Sequence, residues 1–125
     1  FTHCTNPLIK VSTYINFIKN FIIKGNKYDS YNSVTEVKEF LYFNKQPINF
    51  NPRRAPNSQD LRKVVKLNFA LNILKTSDMA KNKSLVGHKP FFYKLSEIEG
   101  FDINTNLEFK LAEKLYIELH KQLMK

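Results

Sequence analysis

The sequence predicts a layered α/β or α+β domain. Amphipathic helical patterns stand near both ends, at residues 11–24 and from Thr105 onward. Runs rich in β-branched and aromatic residues lie between them. The best of these, VVKLNFALNIL at 64–74, alternates apolar and polar residues as a strand does. Helix, strands and helix in that order, without an internal repeat, suit packed layers of both kinds. The 125 residues, 42% hydrophobic, suffice for one domain with a modest core.

The elements follow in chain order. FTHCTNP, from Phe1, reads as the end of a strand entering a turn, so a missing upstream part is expected. In VSTYINFIKNFIIK, residues 11–24, Val11, Ile15, Ile18 and Ile22 recur at helical spacing and predict one buried face. Ser12 or Thr13 can cap the start, and Lys24 with Gly25 suits the end. YDSYNSVTEVK, residues 28–38, predicts a strand. EFLYFNKQPINF, residues 39–50, predicts a hairpin turning at Asn44–Pro47. Its aromatics Phe40, Tyr42, Phe43 and Phe50 belong either in their own domain's core or on a partner subunit. Residues 51–63, with Pro52 and Pro56, form a loop. In 64–74, Val65, Leu67, Phe69, Leu71 and Ile73 share one face of a central strand, buried by helices. Lys66, Asn68, Ala70 and Asn72 take the other face. A short helix is expected over 77–83 and a strand at 91–95, FFYKL. Thr105 and Glu108 form a T-x-x-E capping box for the last helix, whose stripe is Phe109, Ala112, Leu115, Tyr116, Leu119 and Leu123.

Composition excludes several classes. A single cysteine, Cys4, excludes a disulfide framework and predicts a reducing, cytoplasmic setting. No apolar run reaches the ~18 residues of a membrane span, and no signal peptide is visible. The formal charge of +9 attracts anions, yet the lysines are scattered, and neither helix carries a dense basic stripe for a nucleic-acid groove. Three glycines leave no phosphate-cradling loop of the usual kind. His3, His88 and His120 lack metal-ligand spacing, and Cys4 has no base near it in sequence.

Six stretches, in order and naturally spaced, carry a resemblance. CTNPLI at 4–9 is similar to PTSPLL, YDSYNSV at 28–34 to ADSVVSV, and PNSQDL at 56–61 to PRSQDLP. KLNFA at 66–70 stands where the related sequences have RPNGA. VGHKPFFYKL at 86–95 is similar to IGKKPYFFEL, and EIEGFDINTNLEFKLAE at 97–113 to EIESIDIDTPEDFELAE. The chain thus resembles the acylneuraminate cytidylyltransferase family, over the later part of that family's domain.

The resemblance implies a three-layer α/β nucleotidyltransferase fold with a mixed sheet, lacking its N-terminal nucleotide-binding half. Residues 1–125 would be the C-terminal part of one cytidylyltransferase domain, with 39–50 as a dimerisation hairpin of a homodimer. The implied reaction joins CMP from CTP to a nonulosonic, sialic-acid-like sugar acid and releases pyrophosphate, with Mg2+ as cofactor. Asp102 and Lys66 would be catalytic, Lys66 keeping the charge of the related arginine. Asp102 and Asn104 would hold the metal, Asn104 replacing an aspartate with a neutral oxygen ligand. Thr5, Asn6, Arg54, Gln59, Asp60 and Asn68 would bind substrate. Phe69 replaces a glycine. The segment alone is expected to be inactive unless another segment or chain supplies the CTP-binding half. A non-catalytic relative and a basic nucleic-acid-binding module are the rival readings.

Overall fold

The computed structural model describes residues 1–123, which form a small mixed α/β domain. Helix α1 is Val11–Lys24, strand β1 Ser30–Val37, strands β2 and β3 Tyr42–Phe43 and Gln46–Pro47, and strand β4 Val64–Leu74. Helix α2 is Thr76–Asn82, strand β5 Pro90–Leu95 and helix α3 Asn106–Leu123. The main sheet is mixed, in the order β4-β1-β5, with β1 antiparallel to β4 and parallel to β5.

α1 has the predicted bounds but turns the other way. Val11, Ile15, Ile18 and Ile22 face solvent, while Phe17 is buried and Tyr14 and Phe21 pack beside it. Both stripes have helical spacing; the aromatic one carries more apolar area per side chain and takes the sheet. Phe17 and Phe21 meet Tyr93 and Tyr31 edge-on, with centroids 5.2 Å apart in each pair. Neither Ser12 nor Thr13 caps the start. Glu99, far along the chain, accepts from the Lys10 N–H at 3.2 Å and from the Thr13 hydroxyl, placing a carboxylate at the positive end of the helix.

β4 departs from strict alternation. Ser30–Asn32 pair with Leu74–Asn72, but Val34 pairs with Leu67, so Asn68 to Leu71 stand opposite Ser33 alone. Three extra residues, an odd number, swap the faces of the strand beyond them. Val65 and Leu67 pair with Glu36 and Val34, whereas Ile73 pairs with Tyr31 on the opposite face. The expected single buried face therefore does not exist: Val65 and Leu67 are 40% and 38% exposed. Asn68, Ala70 and Asn72, expected on the outer face, are buried instead. The bulge turns on Phe69 at φ 53, a left-handed conformation that costs a non-glycine residue roughly 1–2 kcal/mol.

The expected central place of 64–74 belongs to β1 instead: β4 is one edge of the three-stranded sheet, with Phe1 and Thr2 running antiparallel beside it. Asn72 N–H donates to the Phe1 carbonyl at 2.8 Å, and the Thr2 hydroxyl to the Ala70 carbonyl at 2.7 Å. The hairpin forms as expected, with Asn44 and Lys45 at φ 47 and 65, as a two-residue turn between twisted strands requires. Asn49, fully buried, closes its base by donating to the Glu39 carbonyl and accepting from Leu41 N–H.

The capping box starts α3 as predicted: the Thr105 hydroxyl and Glu108 carboxylate bond at 2.9 Å, and Glu108 also accepts from Asn104 N–H at 2.8 Å. Of the expected stripe, Ala112 is buried, Leu115 and Leu119 half-buried, and Phe109 and Tyr116 exposed. The side chain of Leu123 lies outside the described residues.

Candidate functional site

β1 and β5 run parallel, and α/β sheets commonly bind ligands just outside the carboxyl ends of such strands. A cleft of about 660 Å³ lies at the end of β1. Its walls are the end of β1 (Thr35–Val37) with Lys38 and Glu39, the start of β4 (Lys66–Phe69), and the 97–108 segment, including Gly100, Asp102, Asn104 and Glu108. A shallower cleft of about 420 Å³ adjoins it and shares Thr35, Glu36, Lys38 and Glu97.

The β4 wall is held from inside. Asn68 Oδ1 accepts the Ser33 hydroxyl and, at 3.2 Å, the Ala70 N–H, while Nδ2 donates to Thr35 Oγ1 at 2.8 Å. Ser33 Oγ in turn accepts from Leu71 N–H at 2.8 Å. These bonds satisfy the backbone and hydroxyls that the bulge would leave unpaired in the interior. Asn72 continues the network by accepting from Asn32 and donating to the Phe69 carbonyl. One amide hydrogen of Asn68, which lines the cleft, makes no bond among the described residues; its other positions serve the fold.

The opposite wall, residues 96–104, is pinned at several points. Gly100 N–H donates to the Ser96 carbonyl at 2.9 Å, and Ile103 N–H to the Thr5 carbonyl at 3.0 Å. Asn6 Nδ2 donates to the Phe101 carbonyl at 3.1 Å. A side chain at Gly100 would put its Cβ 2.3 Å from Thr35 Oγ1 and 2.8 Å from Asn68 Nδ2, so only glycine lets this wall approach β4. Asp102 is half-buried: Oδ2 accepts from Asn104 Nδ2 at 3.1 Å, while Oδ1 is buried without a partner. The backbone N–H of Asn104 and the hydroxyl of Thr105 hold the half-buried Glu108 carboxyl below its ordinary range.

Four of the expected site residues therefore share the cleft: Lys66, Asn68, Asp102 and Asn104. Thr5 and Asn6 stand behind the Asp102 wall and support it. Arg54, Gln59 and Asp60 are exposed on two single-turn 3-10 segments and do not line the cleft. Lys38, Glu97 and Gly100 line it although none was singled out as a site residue, and Glu108 was readable only as a cap. Among the described residues, no three or more His, Cys, Asp or Glu side chains converge to hold a metal ion. A cation here would depend on Asp102 together with amide or other oxygens.

Compared with known proteins, the chain matches no family model and no curated sequence.

Proposed function

We propose that this chain is the acceptor-side part of a CMP-sugar synthase, joining CMP from CTP to a nonulosonic sugar acid with release of pyrophosphate. One observation carries the reading. Lys66 and Asn68 from one resembled motif and Asp102 and Asn104 from another, far apart in sequence, meet in a single cleft. Phe69 adds support: it has positive φ at the position where the resembled motif has glycine. Thr2 beside β4 also suits the finer fold reading, a three-layer nucleotidyltransferase whose mixed sheet continues beyond β4. In that reading the CTP-binding half comes from another segment or chain.

The chemistry follows from the walls. A sugar hydroxyl attacks the α-phosphorus of CTP and gives up its proton to water; the new P–O bond forms as the bond to the β-phosphate oxygen breaks, and pyrophosphate leaves. Lys66 presents a mobile positive charge to the sugar carboxylate or the phosphates. The free amide hydrogen of Asn68 donates to the acceptor sugar. Glu36 is paired with Lys94, and Glu39, Glu97, Asp102 and Glu108 face Lys38 and Lys66 across the cleft. A triphosphate is repelled by that field unless a cation lies between. The unpartnered Asp102 Oδ1 fits such a cation; Asn104 fits only if its amide turns, because it now offers Asp102 a hydrogen. Magnesium, when bound, would supply neutralisation of phosphate charge and polarisation of the reacting centre. The same carboxylates disfavour nucleic acid in this cleft.

The homodimer belongs to the proposal. Phe40, Tyr42 and Phe43 are exposed on the hairpin, and Phe50 braces Phe40 and Tyr42 with centroids 4.9 and 5.3 Å away. A braced, exposed aromatic cluster suits a partner surface. Among the described residues no helix is long and apolar enough to cross a membrane; a cytoplasmic workplace is part of the same proposal. The neutral Asn104, bonded to Asp102, favours the second reading, a non-catalytic relative that keeps fold and arm.

The test is pyrophosphate release from CTP with a panel of nonulosonic acids, across a magnesium titration, using the whole polypeptide that carries this segment. Release with one acid supports the enzyme reading. No release with any acid favours the non-catalytic relative.

A further inference from the structure

We propose that the amide oxygen of Asn6, rather than that of Asn104, joins Asp102 in holding a hard divalent cation. The inference takes from the proposed function only the expectation that Asp102 binds a cation, and places that cation on the buried side of its carboxylate, toward Asn6.

Asn6 is buried, 3% exposed, and its amide orientation is determined. Nδ2 donates to the Phe101 carbonyl at 3.1 Å, an atom that can only accept, so the other end must be oxygen. That oxygen has no partner. Asp102 Oδ1 is likewise buried and unpartnered, and among the described residues these two are the buried side-chain polar atoms left so. They lie on adjoining segments: Thr5 O to Ile103 N and Asn6 Nδ2 to Phe101 O bracket Asp102 on both sides. Buried acceptors without donors are costly, and most that persist in proteins have a ligand, ion or water.

What could satisfy both is limited by their chemistry. A carboxylate oxygen and an amide oxygen are hard, acceptor-only groups, the set that Mg2+, Mn2+ and Ca2+ prefer. Magnesium keeps several waters and needs few protein oxygens, so one carboxylate and one amide suffice. Asn104 turns an N–H toward Asp102 Oδ2, at 3.1 Å, and an amide nitrogen is no ligand for such a cation. Asn6 has the reverse polarity: its donor is engaged behind the wall and its oxygen is left over.

The experiment uses Mn2+ as the probe, on the protein without nucleotide or sugar, read by paramagnetic broadening in 1H–15N spectra. At substoichiometric Mn2+ the Asn6 side-chain amide and the Asp102 backbone amide should vanish together and return on adding excess Mg2+. Asn6→Ala should weaken Mn2+ affinity by about tenfold or more, whereas Asn6→Asp, which keeps an oxygen at that place, should retain or raise it. Broadening is the necessary condition, since Mn2+ also broadens amides it does not touch; the Asn6→Asp arm separates a ligand from a mere wall support, and a loss of affinity there would overturn the proposal. Persistence of the Asn6 amide signal would overturn the proposal, leaving its oxygen to an ordered water. So would broadening spread over the exposed carboxylates without saturation. With no CTP present, an intact Mn2+ site beside absent pyrophosphate release defeats only the enzyme reading. Catalysis without Asn6 broadening defeats only this one.

Discussion

Replacing Asn68 with alanine separates a structural lock from a substrate contact. The side chain holds Ser33, Thr35 and Ala70, which are 0%, 4% and 0% exposed. Alanine would leave the Ala70 N–H and the Ser33 hydroxyl hydrogen without their acceptor. Each unsatisfied buried group costs roughly 1–3 kcal/mol, so a loss of about 3–5 kcal/mol follows once the small cavity is included. Thr35 borders the cleft, where water replaces its lost partner, so it adds little. For a chain of this length each kcal/mol moves Tm by about 4 °C, giving a fall of roughly 10–20 °C. Thermal unfolding by circular dichroism reads the effect, and hydrogen exchange localises it: Ala70 and Leu71 amides should lose protection first. A Tm within about 2 °C of the parent, well under one such bond by the same scale, would refute the lock and return Asn68 to the role of an exposed ligand.

Gly87→Ala should destabilise the turn before β5, because its Cβ would lie 2.1 Å from Asp29 Oδ1, and that carboxylate holds His88 N–H at 2.8 Å and Lys89 N–H at 2.9 Å; denaturant unfolding should show a loss of about 1–3 kcal/mol. Glu108 is held below its ordinary range by Asn104 N–H and the Thr105 hydroxyl. Its contribution is present above the unfolded carboxylate pKa and disappears as pH falls through the lower folded value, so the first turn of α3 should fray in acid and Glu108→Gln should abolish that pH dependence in amide exchange. Phe43→Ser removes a side chain that is exposed in one chain; it should leave the unfolding free energy of the monomer within about 0.5 kcal/mol of the parent while shifting sedimentation from dimer to monomer at micromolar concentration.

Element positions were legible because local pattern sets them. α1, β4 and the α3 capping box needed only spacing, alternation and the T-x-x-E signature. Facing was less legible. α1 carries an aliphatic and an aromatic stripe, and only the sheet opposite selects the aromatic one. The β4 bulge hid because Phe69, not glycine, takes the positive φ. The cap on α1 came from Glu99, 89 residues from Lys10, beyond any local rule. At the site, resemblance brought Lys66, Asn68, Asp102 and Asn104 to one cleft, but single motifs do not say which way a side chain points. Asn6 was read as a substrate contact and lies behind the wall; Asn104 was read as a ligand and donates to Asp102.

The central claim is CMP transfer at this cleft, and phosphorus NMR of a reaction mixture tests it most directly. The whole polypeptide is incubated with CTP, magnesium and a nonulosonic acid, beside the Asp102→Asn and Lys66→Ala variants. The account predicts that the parent converts the triphosphate resonances into pyrophosphate and one phosphodiester. It predicts that Asp102→Asn abolishes most of this with the fold intact, and that Lys66→Ala slows it. Pyrophosphate and phosphodiester forming as fast in Asp102→Asn as in the parent, or an unchanged CTP spectrum with every acid tried, would contradict it.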